Sequence, residues 1–135
     1  MFCIEMRWVL INSCRKRFDM EIKGILNALV EVQGIEAAVC VGRDGFVIEA
    51  AAAASADVDA IGAMVATGLG SAESVGRELE VGKLSQAMME YDGGVIVMTA
   101  IGNEAILSVV AATSASLGNV RLQVRKRKKE LEAVI

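Results

Sequence analysis

Gly68-Leu69-Gly70, Gly82-Lys83, the pair Asp57 and Asp59, and the run Arg125-Lys126-Arg127-Lys128-Lys129 are the stretches of this 135-residue chain whose residue types could do chemistry. Gly-x-Gly opens a dinucleotide-binding fingerprint, in which a third glycine is needed for close packing around the pyrophosphate. Residue 73 is Glu where that glycine belongs, and no strand immediately precedes the motif, so no cofactor is assigned. Gly82-Lys83 is followed by Leu84 rather than by the Ser or Thr that holds magnesium in a P-loop, and the upstream glycine is missing. It reads as a turn before a strand. Asp57 and Asp59 could share a cation, yet acids in the first turn of a helix are favoured by its dipole without any metal. No metal site is assigned to them.

The chain has no histidine, which removes serine-histidine and cysteine-histidine catalysis and the histidine-containing zinc sites. Cys3, Cys14 and Cys40 are odd in number and form no C-x-x-C pair, so neither a disulfide framework nor a four-cysteine zinc site is available. A reducing, cytoplasmic setting fits them. Counting alone leaves an oxygen-liganded magnesium site open. No catalytic residue emerges, and the expected protein is not an enzyme.

Charge is divided along the chain. Residues 121–135 carry Arg121 and the five-cation run against Glu130 and Glu132, a net +4, and residues 1–19 add +2, whereas residues 20–120 set four cations against thirteen acids, a net −9. The basic run could grip nucleic acid, an anionic membrane surface or an acidic protein. A solvated helix end, where cations complement the C-terminal dipole, is the plainer account. The absence of interleaved aromatics favours that account or a protein contact over nucleic acid.

The elements that would position these residues follow from periodicity. Hydrophobic residues make up 54% of the chain and aromatics only 4%, so the core is assembled from small aliphatic contacts. A single domain is expected at this length. Ile22, Ile25, Leu26, Leu29 and Val30 predict a helix from Glu21 to about Val32, stopped by Gly34. Ile35 to Val41 and Phe46 to Ala50 read as strands joined through Asp44-Gly45, a strong hairpin signal. Asp57 to Leu79 is a helix capped by Asp57. Its apolar stripe runs through Val58, Ile61, Val65, Gly68, Ala72, Val75 and Leu79. It tolerates Gly62, Gly68, Gly70 and Gly76, each costing about 1 kcal/mol relative to alanine, which points to close approach of another backbone. Lys83 to Tyr91, Val95 to Ile101 and Ala105 to Ala111 are three further strands. The first of these is a polar edge with Leu84, Met88 and Met89 as its buried contribution, and the last two are nearly continuous apolar runs suited to central positions. A final helix starts near Ser116, capped by Ser114 or Ser116. The order is α-β-β-α-β-β-β-α.

Residues 1–19 look at first like a secretory signal, but Glu5 and Arg7 interrupt the apolar region, Arg15-Lys16-Arg17 follows it, and no small-residue cleavage site is visible. They read as an N-terminal extension, disordered or docked as a short element through Phe2, Ile4, Trp8, Val9, Leu10 and Ile11. No apolar run reaches the roughly 18 residues of a membrane span.

The stretch GIEAAVCVGRDGFVIEA, the small-residue helix after it, then GKLSQAMMEYDGGVIVMTAIGNEAILSVVA and the terminal SLGNVRLQVRKRKKEL together resemble the Roadblock family of dynein light-chain type, over roughly residues 20–134. The branch most similar is that of bacterial and archaeal regulators of small Ras-like GTPases. The resemblance implies an α+β fold, a five-stranded antiparallel sheet with one helix on one face and two on the other, in a Roadblock-like domain of residues 20–135. It also implies a homodimer, or a dimer with a paralogue, built on the third strand and the middle helix, with Ala66, Gly70, Leu84, Gln86 and Met88 as candidate interface residues. The implied function is that of a non-enzymatic scaffold that binds a Ras-like GTPase, some members of the family also accelerating its GTP hydrolysis, with exposed Asp59, Glu73 and Arg77 facing the GTPase. No arginine can be assigned as a finger in trans.

Two other readings come from different classes. Related helix-sheet-helix folds hold small molecules, but few polar residues are placed to orient a ligand in the core. A nucleic-acid binder using the basic C-terminal helix would reveal itself by steep salt dependence.

Overall fold

A computed structural model describes the backbone of residues 2–52 and 56–135 and the side chains of residues 16–52 and 56–135. Its elements are α1 (Phe2–Val30), β1 (Ile35–Gly42), β2 (Val47–Ala52), α2 (Val58–Glu78), β3 (Ala87–Tyr91), β4 (Gly94–Ile101), β5 (Ala105–Ala111) and α3 (Leu117–Val134). The five strands form one antiparallel sheet in the order β2-β1-β5-β4-β3. The fold is α+β with the expected element order.

Local chemistry accounts for the boundaries. In the β1–β2 hairpin, the Asp44 carboxylate accepts from the Phe46 amide at 3.0 Å and Gly45 takes φ +90°, a conformation open to glycine at little cost. The Asp57 side chain accepts from the Ala60 amide at the start of α2, and Ser116 accepts from the Asn119 amide at the start of α3. β4 and β5 lie side by side, and β5 is the middle strand of the sheet.

Side chains alternate across the sheet. On one face α1 and α3 cover it, burying Ile22, Leu26 and Leu29 from α1 and Val120, Val124 and Leu131 from α3 against Cys40, Val97, Leu107 and Val109. On the other face α2 lies alone, with Val65 and Leu69 buried against Met98 and Ile106. Burying a side chain of this size contributes about 1.5–3 kcal/mol. At the β2 edge, Lys23 of α1 donates to the Ala50 carbonyl and lies 3.5 Å from Glu49.

Three expectations are corrected. The first helix begins at Phe2 rather than Glu21, because helical backbone continues through residues 2–20 without a break. The docking suggested for Phe2, Ile4, Trp8, Val9, Leu10 and Ile11 falls on side chains outside the described residues. The third strand begins at Ala87, not Lys83. Ahead of it Glu80 and Gly82 turn with φ 54° and 98°, and the Thr99 hydroxyl donates to the Ser85 carbonyl at 2.8 Å, so a side chain holds the chain where a ladder bond would otherwise form. Lastly, the buried side of α2 is Gly62, Val65 and Leu69, while Val75 and Leu79, assigned to the buried stripe, are exposed.

Candidate functional site

The glycines of α2 have separable reasons. A Cβ on Gly62 would lie 2.9 Å from the Gly45 carbonyl oxygen, and one on Gly76 would lie 2.7 Å from the Gly82 carbonyl oxygen. Both let the helix approach its own hairpin and its own exit turn. A Cβ on Gly68 would touch Met98 of β4 at an ordinary 3.6 Å, and one on Gly70 would meet nothing within 4 Å. The intrachain fold therefore demands a glycine at 62 and 76 and leaves 70 free.

At 3.6 residues per turn, α2 presents two flanks beside its buried side. One carries Met64, Gly68, Val75 and Leu79, on the side where Gly68 meets β4. Met64, Val75 and Leu79 are 68%, 55% and 67% exposed. Next to this flank, Met89 of β3 and Ile96 of β4 are only half-buried. β3 pairs with β4 alone, so its outer edge is open. Contiguous exposed apolar surface beside an unpaired strand edge is the mark of a protein-contact site.

The other flank faces the β1–β2 hairpin and carries Asp59, Ala63, Ala66, Gly70, Glu73 and Arg77. Asp59, Ala63 and Ala66 line an open groove with Arg43 and Phe46 of the hairpin. Phe46 is itself exposed. Arg43 grips Glu73 with both terminal guanidinium nitrogens, Nη1 donating to Oε1, and Nη2 donating to Oε2 at 3.2 Å. That hydrogen bond holds the Glu73 carboxyl below the ordinary carboxylate range and raises Arg43 further.

The sequence-selected residues are thus divided. Asp59 and Arg77 are exposed, Arg77 donating to the Ser74 hydroxyl at 3.0 Å. Glu73, expected to be exposed, is half-buried and occupied by Arg43. Ala66 is half-buried toward the α2 core cluster, and Gly70 shares its flank. Leu84 packs beneath α2 ahead of β3. Gln86 accepts from Arg121 Nε of α3 at 3.1 Å, and Met88 is exposed on the α3 side of the edge strand. Sequence reasoning missed Met64, whose signal was an apolar residue in excess of a single stripe.

Little here supports bond-making chemistry. The Cys40 thiol is buried in the sheet and pushed up to about 11 by burial, with Glu49 adding to the effect, which makes it a poor nucleophile. The buried polar side chains among the described residues are Thr99 and Ser108, and Thr99 is already engaged with Ser85. A ligand held between sheet and helix would find few groups to orient it. Among the described residues no group of three or more metal-ligating side chains occurs, and no helix is long and apolar enough to cross a membrane.

Comparison with known proteins places this arrangement. Residues 21–111 match the Roadblock/LC7 domain. An uncharacterized protein of Methanocaldococcus jannaschii, MJ1340, is 32% identical over 113 residues, covering 84% of this chain and 98% of that protein. Among solved structures, Myxococcus xanthus MglB superposes with a TM-score of 0.78 at 20% identity, covering 84% of this chain and 93% of the other. A structure described as MglB with tetrameric arrangement gives 0.77 at 19% identity, covering 87% and 88%. The likeness to these structures is one of fold, and the sequence match over most of the domain settles kinship: the chain belongs to the Roadblock/LC7 family.

Proposed function

We propose that this protein is a non-enzymatic, dimeric scaffold in the cytoplasm that binds a Ras-like small GTPase and regulates its hydrolysis. The observation that carries the assembly half is the exposed apolar flank of α2 running beside the open edge of β3. A second copy, or a paralogue, set against that flank with its own β3 would extend the sheet and cover Met64, Val75 and Leu79. Leu84, Gln86 and Met88 lie in or just before that edge strand. A structural relative described as tetrameric supports self-association as a habit of this fold.

The GTPase half rests on the family resemblance, together with the flank that such a dimer leaves free. There Asp59, Arg77, the hairpin tip with Phe46, and the open position at Gly70 form a mixed polar and apolar surface. Glu73 acts on this reading by fixing Arg43 and the hairpin against α2, rather than by reaching the partner itself. The test is co-purification with the host's small GTPases loaded with GDP or a non-hydrolysable GTP analogue. One GTPase should be retained, and the pair Asp59→Lys with Arg77→Glu should release it while the dimer persists. Failure to retain any GTPase in either nucleotide state overturns the reading.

A further inference from the structure

We propose that the outer face of the α1/α3 layer docks on an anionic lipid bilayer. Apart from Arg121, whose Nε donates to Gln86 beside the edge strand, this rests on surfaces separate from the GTPase and dimer readings. Arg121, Leu122, Arg125, Lys126 and Lys129 are all exposed and recur at three- and four-residue intervals on the outward side of α3. None of the four cations is in an ion pair among the described residues. On the same layer, Lys16 and Arg17 of α1 are exposed.

The dipole account of these cations fails on position. The last turn of α3 contains no base, and the helix closes on Glu132-Ala133-Val134, so the run is not placed where helix charge would reward it. Like charges at i,i+4, such as Arg121 with Arg125 and Arg125 with Lys129, are instead mildly destabilising. A surface that carries such a cost is explained by an external anion.

Charge segregation in the fold supports this. Residues 35–111, comprising the sheet and α2, hold Arg43, Arg77 and Lys83 against eleven acids. Residues 16–31 and α3, on the other layer, together hold nine cations against five acids. One side of the molecule would be drawn to an anionic plane, and the acidic side would be turned away from it.

A bilayer is favoured over nucleic acid by the surface chemistry. Leu122, 59% exposed, sits among the cations, and Met20 of α1 is also exposed. No aromatic residue interleaves the α3 cations to stack on bases. A basic helix face with an apolar residue in its midst suits a lipid interface, where cations meet headgroups and aliphatic side chains enter beneath them.

The test is sedimentation of the full chain with vesicles of phosphatidylcholine alone and of phosphatidylcholine mixed with phosphatidylglycerol, across a salt series. Binding should require the anionic lipid and weaken as salt rises. The triple variant Arg125→Gln, Lys126→Gln, Lys129→Gln should weaken it on the order of 100-fold, taking about fivefold per cation near an anionic surface. Its circular dichroism and dimerisation should match the parent, because all three side chains are exposed; the variant Arg125→Lys, which keeps the charge, should retain binding. Equal binding to neutral vesicles, or unchanged binding by the triple variant, overturns the proposal. So does failure to bind anionic vesicles at low salt, or displacement from them by duplex DNA at equal phosphate concentration.

Discussion

The two faces of the sheet are covered unequally, and the difference explains most of what this molecule offers to others. Five strands spaced about 4.8 Å apart make a surface roughly 24 Å wide, whereas a helix with its side chains is about 10–12 Å across. α1 and α3 together are wide enough, and their face closes over a continuous buried cluster. α2 alone is not, and its face leaves β3 and part of β4 half-covered. The two-helix face can therefore carry a largely polar, basic exterior, with Met20 and Leu122 standing out among its described large apolar residues, while the one-helix face must show apolar side chains until another chain covers them.

The sharpest way to break this comparison is to charge the bare flank. Val75→Asp with Leu79→Asp should convert a dimer to monomer at micromolar concentration in sedimentation velocity, with the dimer constant weakened at least 100-fold and the helical content kept. A dimer surviving both changes would remove the uncovered flank as its cause. A smaller effect separates the glycines. Gly76→Val should destabilise the fold by about 2–4 kcal/mol in urea unfolding, since its Cβ would press on the Gly82 carbonyl. Gly70→Ala should stabilise it by about 0.5–1 kcal/mol, because nothing obstructs the added methyl group and alanine is the better helix former. Equal costs at the two sites would mean that the helix does not approach its exit turn as described.

The smallest effect concerns the hairpin flank. Arg43→Gln should cost under about 1 kcal/mol at neutral pH, as expected for a partly exposed pair. Glu73 is held below its ordinary value of 4.5 by Arg43, so the pair's contribution is complete above that value and disappears as pH falls through the lowered one. Parent and variant should therefore converge in stability on acidification. A difference that persists below the lowered value would assign it to packing.

Legibility in the sequence followed the range of the signals. Asp44-Gly45 and Asp57 act on their own neighbours, so the hairpin and the start of α2 could be read directly, the α3 cap was narrowed to Ser114 or Ser116, and β5 was legible because its bounds coincide with its apolar run. The division of α2 into flanks could not. Positions 75 and 79 lie within about a third of a turn of the buried side, and only the location of the sheet decides which of two merging stripes is covered. The Arg43–Glu73 pair joins residues thirty apart and leaves no local trace. The start of β3 was misplaced because a hydroxyl, Thr99, competes there with the backbone for a carbonyl. The continuation of α1 before Glu21 was obscured by charges that break the apolar pattern without breaking a helix.

Lys23 has a consequence for how such a molecule accumulates. An open sheet has two margins, and a chain that offered both to its neighbours would add copies without end. By seating an ammonium on the Ala50 carbonyl of β2, α1 gives one margin a charged guard and leaves β3 as the margin able to receive a strand. A particle with a single receptive end stops growing after one union.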